Sequence, residues 1–365
     1  MHIRFDKRAA PSRLMQVATP IGAVLLTMVI GAVLFQALGY DGIRAVKEIF
    51  FTPVLASYKW PDVAAKAAPL ILIGLGLSVG NRAKVWNIGA EGQYVIGALG
   101  GAGVAFFTQG AEGPWIIPLM ILAGILGGMA WAAVPALLKT WANVNEILSS
   151  LMLTYVGLQV LNYMVTGPWK DPKGHNFPQT APFTDAQLLP ATVPGTPFPP
   201  GLVIAFVLAL AFWLLMARSV FGFRIRVVGE APQAARYGGF DAPRTVWLAM
   251  LIGGGMAGLA GILEASSHSG QINLGFPSGY GFTAIIVSFL GRLHPIGVFI
   301  AGIVLAISYV GGQVAQTAVH VPNATAGIFQ ATMLFLLLAS DILVRYRPRL
   351  VWAAASGVAA TGEAA

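Results

Sequence analysis

Apolar residues recur along the chain in runs of about 20, the length that crosses a bilayer core as an α-helix. Short segments holding proline, arginine and lysine separate them. Ten such runs are centred near residues 28, 73, 97, 127, 157, 209, 255, 285, 305 and 334. The pattern predicts an all-α polytopic membrane protein, with the second and eighth runs short and rich in glycine. The first run extends through Tyr40 behind the basic segment MHIRFDKRAAPSRL. It is longer than a signal-peptide core, and no small-x-small cleavage site clearly follows it, so it reads as a retained helix.

Composition agrees: 56% of the 365 residues are hydrophobic and only 10% are charged, against about a quarter charged in soluble domains. The 44 glycines and 23 prolines fit membrane helices, which use glycine for close contact and tolerate proline. With no cysteine, disulfides, thiolate metal sites and cysteine nucleophiles are excluded.

The net charge of +8 follows from topology rather than from nucleic-acid binding. With both termini inside, the inner segments hold 16 of the 22 basic residues, as the positive-inside rule expects. The remaining six are Arg44, Lys47, Lys59, Lys66, Lys170 and Lys173. On this topology residues 1–14 form a cytoplasmic N-terminus and residues 345–365 a cytoplasmic tail. Residues 167–200 form an outer loop with nine prolines, read as ordered and extended. Residues 218–244 form the largest inner loop, and no boundary divides the single transmembrane domain, residues 1–365. A basic turn between glycine-rich runs occurs twice, at Asn81 to Lys84 and at Arg292 to His294. This raises a two-fold internal repeat of the kind common in transporters.

Enzyme chemistry has no foothold. The chain lacks a G-x-x-x-x-G-K-[ST] phosphate loop, H-E-x-x-H and G-x-S-x-G, and its five histidines have no metal-ligand spacing. It is expected to bind no metal or cofactor of its own.

Polar residues inside the apolar runs are therefore the candidates for function. In WNIGAEGQYVIG (86–97), a helix would put Asn87, Glu91 and Tyr94 on one face. Gly89, Gln93, Gly97 and Gly101 would form a close-packing stripe on another. Two readings of Glu91 stand side by side: complementing its helix dipole while pairing with Arg82 or Lys84, or lining a solute pathway. In NVNEILSSLMLTY (143–155), Asn143 and Glu146 have capping-box spacing. Asn145–Ser149 and Glu146–Ser150 form i,i+4 pairs, and Asn145 is the better candidate for contact with a pathway or a partner chain.

The inner loop carries RIRVVGEAPQAARYGGFDAPRT (224–245). Pro232 suits a first helical turn, Glu230 before it complements the dipole, and Gly238 and Gly239 stop it. The resulting helix of six or seven residues is too short to be stable alone in water, so it should dock on something. Ala234 and Ala235 give it a smooth face, and it lacks the apolar stripe of a membrane-surface helix. In SGYGFTAIIVSFLGRLHPIGV (278–298), G-R-L-H-P breaks the helix, and flanking glycines permit a bent or re-entrant path. His294 there is a turn histidine that could titrate near neutral pH.

Taken in order, WNIGAEGQYVIGA, NEILSSLMLTY, VGEAPQAARYGGFD and SFLGRLHPIGV resemble inner-membrane permeases of ATP-binding-cassette importers. The likeness is to the branched-chain amino-acid and simple-sugar permease superfamily, and within it to the nucleoside and simple-sugar subgroup. It spans roughly residues 60–345. Ala231 and Thr154 stand where asparagine is common in that subgroup.

The resemblance implies a multi-pass protein of the bacterial inner membrane that moves nucleosides, or alternatively simple sugars, inward. It assigns Asn87, Gly89, Glu91, Gly92 and Gln93 to a pathway-lining helix. Asn145, Ser149, Ser288 and His294 join them as pathway candidates. Residues Gly229 to Gly239, with Glu230, Pro232, Ala234, Ala235, Arg236, Tyr237 and Gly238, become a helix that couples to an ATPase. ATP and Mg would reside on that separate ATPase subunit. A second permease subunit and a solute-binding lipoprotein complete the implied partners. An ion-coupled transporter using Glu91 and His294 as proton carriers remains the rival of another class.

Overall fold

The computed structural model describes residues 2–7, 13–192, 195–322 and 324–351. Parts of the expected segments 1–14 and 345–365 lie outside them. Glycine- and alanine-rich apolar runs become helices because nothing in a bilayer core can hydrogen-bond an open backbone. In chain order these are α1 (Arg13–Ala37), α2 (Gly42–Phe50), α3 (Thr52–Leu55), α4 (Trp60–Arg82) and α5 (Ala90–Phe107). There follow α6 (Ile116–Ala142), α7 (Glu146–Thr166), α8 (Gly201–Arg218), α9 (Val220–Glu230) and α10 (Pro232–Tyr237). The series ends with α11 (Ala242–Glu264), α12 (Tyr280–Leu290), α13 (Pro295–Val319) and α14 (Thr325–Arg345).

A helix centres on every predicted run, but only seven among the described residues are long and apolar enough to span a membrane. Of the remaining runs, α5 carries Glu91 and Gln93, α12 has only 11 residues, and α14 has a short apolar stretch, Gly327–Leu337. The second run is not short: its span covers 26 residues, Ser57–Arg82. The short amphipathic α2, packed on α13, has no counterpart in the ten runs. The all-α expectation also meets one departure. Near the chain ends β1 (His2–Lys7) pairs antiparallel with β2 (Tyr346–Val351), bringing the two ends of the described chain together.

Burial sorts the helices into a centre and a shell. The spans of α4 and α11 are 89% and 72% buried, whereas those of α1, α6, α7 and α8 are 22–28% buried and turn leucine, valine and phenylalanine outward. Apolar side chains gain nothing from hiding among lipid tails, so the centre is held by close backbone packing of small residues. A Cβ on Gly97 would collide with Gly258, and one on Gly128 with the Gly254 carbonyl. Those contacts draw α5, α6 and α11 into one tightly packed layer against α4.

The described part of the 167–200 loop is pinned by hydrogen bonds. Thr180, Phe183 and Leu189 donate their N–H groups to the carbonyls of Ile272, Gly270 and Ser266 at 2.8–2.9 Å. Gln187 Nε2 donates to the Ala105 carbonyl at 2.8 Å. The loop thus covers the ends of α5 and α11.

Candidate functional site

The helix expected through residues 86–97 starts only at Ala90, so Asn87 and Gly89 precede it and do not share its faces. Residues 83–89 instead run as an irregular connection that buries Ala83, Val85, Asn87 and Gly89 and exposes Lys84 and Trp86. Asn87 Nδ2 donates to Gln93 Oε1 at 2.8 Å, and Gln93 Nε2 returns a bond to Asn87 Oδ1 at 3.0 Å. Asn87 Oδ1 also accepts from the Gly89 N–H at 3.1 Å, and Ser150 Oγ accepts from the Ile88 N–H at 3.2 Å. The paired amides close the turn that feeds α5. This is how an irregular backbone persists at this depth: side chains supply the partners that a helix would have supplied.

Glu91 is 2% exposed. Its carboxylate meets neither Arg82 nor Lys84; it caps another helix. Oε1 accepts from the Gly279 N–H at 2.9 Å and Oε2 from the Gly281 N–H at 2.5 Å. Those N–H groups open α12, whose first turn would otherwise end in the interior with unsatisfied donors and a partial positive charge. Two glycines make the approach possible. Gly279 adopts φ +74°, and a Cβ on Gly281 would overlap the Glu91 backbone. Tyr94, one turn along α5, stacks on Phe276 with centroids 5.1 Å apart and meets Tyr280 edge-on at 5.9 Å.

A second buried carboxylate was not singled out from the sequence. Glu264, at the end of α11, is 6% exposed and lies 3.8 Å from Lys66 Nζ on α4. Lys66 also stands 5.4 Å from the centroid of the Tyr280 ring. Beyond Glu264 the chain makes a π turn, Ala265–Ser269, a feature frequent at functional positions. Thr283 Oγ1 and Tyr309 Oη lie 2.9 Å apart. Among the described residues, the buried hydroxyls of Tyr94 and Tyr280 find no partner at hydrogen-bond geometry. Glu264 carried the same signal as Glu91, an acid inside an apolar run, but its partner lies on a helix distant in sequence.

The other candidates do not converge on this centre. Ser288 is buried at the far end of α12, accepting from Asn81 Nδ2 at 3.0 Å and donating to the Ile285 carbonyl at 3.0 Å. His294 lies beyond it as the N-cap residue of α13, part of its surface open and part covered by neighbouring residues. Burial, and then the charge of Arg82, hold its imidazole below the ordinary histidine value.

Asn145 and Ser149 open α7 on the surface side. The cap here is Asn145, whose Oδ1 accepts from the Ile147 N–H at 2.9 Å. Asn143 is instead the left-handed C-cap of α6, and Glu146 pairs with Lys139 at 2.9 Å. The predicted capping box is therefore replaced by two caps, because only three residues separate α6 from α7. Nor do the expected i,i+4 side-chain pairs form: Ser149 and Ser150 donate to the Glu146 and Ile147 carbonyls.

The segment between α8 and α11 folds as two helices. Pro232 opens the six-residue α10, Gly238 caps it, and Gly239 turns the chain at φ +76°. Glu230 does not precede α10 as a free dipole partner; it is the last residue of α9. Only Ala235 of α10 is buried, while Pro232, Gln233, Ala234, Arg236 and Tyr237 face outward, Tyr237 at 95% exposure. Behind α10, Gly229 presses against the C-terminus of α4, where a Cβ would overlap the Arg82 carbonyl. A short exposed helix is thereby joined through backbone contact to the most buried of the seven spans among the described residues.

Comparison with known proteins places this arrangement. Residues 61–338 match the family model described as branched-chain amino acid transport system / permease component. The chain is 35% identical to the glucose ABC transporter permease protein TsgB13 of Haloferax volcanii, covering 95% of this chain and 93% of that one. It is 28% identical to the guanosine ABC transporter permease protein NupP of Bacillus subtilis, covering 92% and 96%. It is 24% identical to the nucleoside ABC transporter permease protein NupB of Lactococcus lactis, covering 92% and 94%. No solved structure matches the chain. Membrane-length helices, a loop hydrogen-bonded across the ends of α5 and α11 and a short exposed helix tied to the core thus accompany a match over most of the length, and the chain belongs to the permease-component family of branched-chain amino-acid-type transport systems.

Proposed function

We propose that the chain is the membrane permease subunit of an ATP-binding-cassette importer for a neutral, hydroxyl-rich solute, a nucleoside or a simple sugar. The observation that carries the reading is α10. Six residues cannot hold a helix alone in water, yet this one is exposed on every residue except Ala235. A groove on a separate ATPase, which would hold the ATP and Mg, supplies the missing contact. Movement of α10 would reach α4 through Gly229 and Arg82.

The solute class is supported from two directions. Relatives that align over nearly the whole chain are named for glucose, guanosine and nucleosides. Inside this chain, the anion-attracting N-terminus of α12 is already filled by the Glu91 carboxylate. A transported carboxylate or phosphate would find that site taken, whereas an uncharged solute has no need of it. The occupied Glu91 also weakens the ion-coupled rival, since its supposed partner His294 lies past the opposite end of α12.

In this reading both termini and α10 face the cytoplasm and the 167–200 loop meets a binding lipoprotein outside. The pairing of β1 with β2 supports an even number of crossings of a bacterial plasma membrane. A second permease subunit, identical or homologous, completes the pathway. The test is affinity purification of the tagged chain from its native membrane in mild detergent, followed by uptake of labelled guanosine and glucose. Recovery of an ATPase, a permease partner and a binding lipoprotein, with uptake of one solute class, is expected. Isolation of this chain alone, well folded, would overturn the proposal.

A further inference from the structure

Helix α7 is the least apolar of the seven membrane-length helices among the described residues, yet its span is only 22% buried, as little as that of α8. Its inner side is accounted for. Ser150, Thr154, Gly157, Leu161 and Val165 are buried, and there the backbone meets α5: a Cβ on Gly92 would come within 2.8 Å of the Thr154 Cα. The opposite side carries a second stripe. Leu148, Met152, Tyr155, Gln159, Asn162 and Thr166 are all exposed and follow one another at alternating steps of four and three residues. That repeat keeps one face of a helix against a neighbouring helix.

Two members of the stripe do not suit lipid. Counted from the middle of α7 (Glu146–Thr166), Gln159 lies about 4.5 Å and Asn162 about 9 Å along the axis, inside a hydrocarbon half-thickness of about 15 Å. Among the described residues neither side-chain amide has a hydrogen-bond partner. Helix α8, equally uncovered, shows the contrast: from Val203 to Leu215 its exposed residues are aliphatic or aromatic, with no amide or hydroxyl.

We infer that the α7 stripe packs against α7 of a second copy of this chain, related by a two-fold axis along the membrane normal. Such an axis sets each residue near its own copy at the same depth. Like charges would repel there, and the stripe carries none. Amide and tyrosyl groups both donate and accept, so Gln159, Asn162 and Tyr155 can satisfy their own copies, which lipid tails cannot do. A water-filled route would be polar throughout, whereas Leu148 and Met152 hold two of the six positions. The inference names the contact face of the second permease subunit and so rests on the two-permease reading above.

The absence of cysteine makes the test direct. Tyr155→Cys, Gln159→Cys and Asn162→Cys each give the full-length protein one thiol on the stripe, and Leu210→Cys, on the exposed side of α8, is the control. Native membranes are oxidised with copper phenanthroline and resolved without reductant. Disulfide-linked dimers of this chain are expected at the stripe positions and not at Leu210. Gln159→Leu and Asn162→Leu should each weaken the detergent-solubilised dimer about three-fold, the typical effect of one polar contact between membrane helices.

Equal cross-linking at Leu210 would overturn the inference, as would no dimer at any of the three positions. Labelling of the Gln159→Cys thiol by a charged, membrane-impermeant reagent in place of cross-linking would assign the stripe to the solute route. Cross-linking to a different chain would overturn the pairing of identical copies. The seam and the importer reading fail separately. Recovery of an ATPase with no α7 dimer removes the seam alone, and an α7 dimer without an ATPase supports the seam while removing the importer.

Discussion

Replacing Glu91 with alanine separates a structural role for the carboxylate from a direct role in solute contact. The change removes the two acceptors at 2.9 and 2.5 Å from the Gly279 and Gly281 N–H groups. Each buried donor left without a partner costs about 1–3 kcal/mol. Loss of the negative charge at the helix N-terminus adds about 0.3–2 kcal/mol. A central figure of about 5 kcal/mol for opening the first turn of α12 corresponds to a change of roughly five thousand-fold in that local equilibrium. Glu91→Gln keeps one carbonyl acceptor, leaves one donor unpaired and loses the charge, so about 3 kcal/mol and roughly a hundred-fold are expected.

Hydrogen exchange read by mass spectrometry on peptides covering Gly279 to Thr283 measures this opening directly, with α13 peptides as the internal control. Solute uptake at equal membrane abundance supplies the functional readout. Both variants should exchange faster only at the start of α12, and uptake should fall in the order wild type, Glu91→Gln, Glu91→Ala. Unchanged exchange at Gly279 and Gly281 with uptake abolished would refute the capping role and return Glu91 to the solute pathway. Wild-type uptake in Glu91→Gln would remove its importance to transport.

Three further outcomes follow from other parts of the molecule. Gly229→Ala forces a methyl group into the Arg82 carbonyl and should cost about 1–3 kcal/mol; lower thermal stability together with lost uptake is expected, and a variant matching wild type in both would exclude the α9–α4 contact as a route of coupling. Tyr237→Ala and Arg236→Glu alter the exposed face of α10, so folding should persist while ATPase co-purification drops; undiminished recovery would count against α10 as the docking helix. The histidine at 294 has its pKa lowered by burial and by Arg82. Its unfolded form therefore takes up a proton first as pH falls, and stability should decline from the ordinary histidine pKa of about 6.5 downward, levelling below the folded value. In His294→Ala that part of the pH profile, followed by thermal melting between pH 7.5 and 5, should flatten.

The parts of the site that could be read from the sequence share one property: their determinants are neighbours in the chain. Pro232 and Gly238 bound α10 because each acts within one helical turn. The polar stretch at 143–155 was correctly seen as a helix start, but its capping residue was misassigned. Asn143 and Asn145 are chemically equal, and only the close approach of α6 and α7 decides which ends one helix and which begins the next. Asn87 misled for a related reason. A polar residue four positions before Glu91 fits helical spacing, yet its amide bonds to Gln93 and holds the chain out of the helix.

By itself the sequence determined that the protein resides in a membrane, where its helices centre, and where the exposed short helix lies. Hydrophobic run length, charge placement and caps are local quantities, and a bilayer enforces them strongly. Tertiary structure alone decided what the buried charges do. Glu91 finds its partners 188 and 190 residues away, and Glu264 faces Lys66 across a helix interface. A buried carboxylate must be satisfied by something, but which donor satisfies it depends on how glycine faces let helices approach, and that is settled only when the whole bundle is packed.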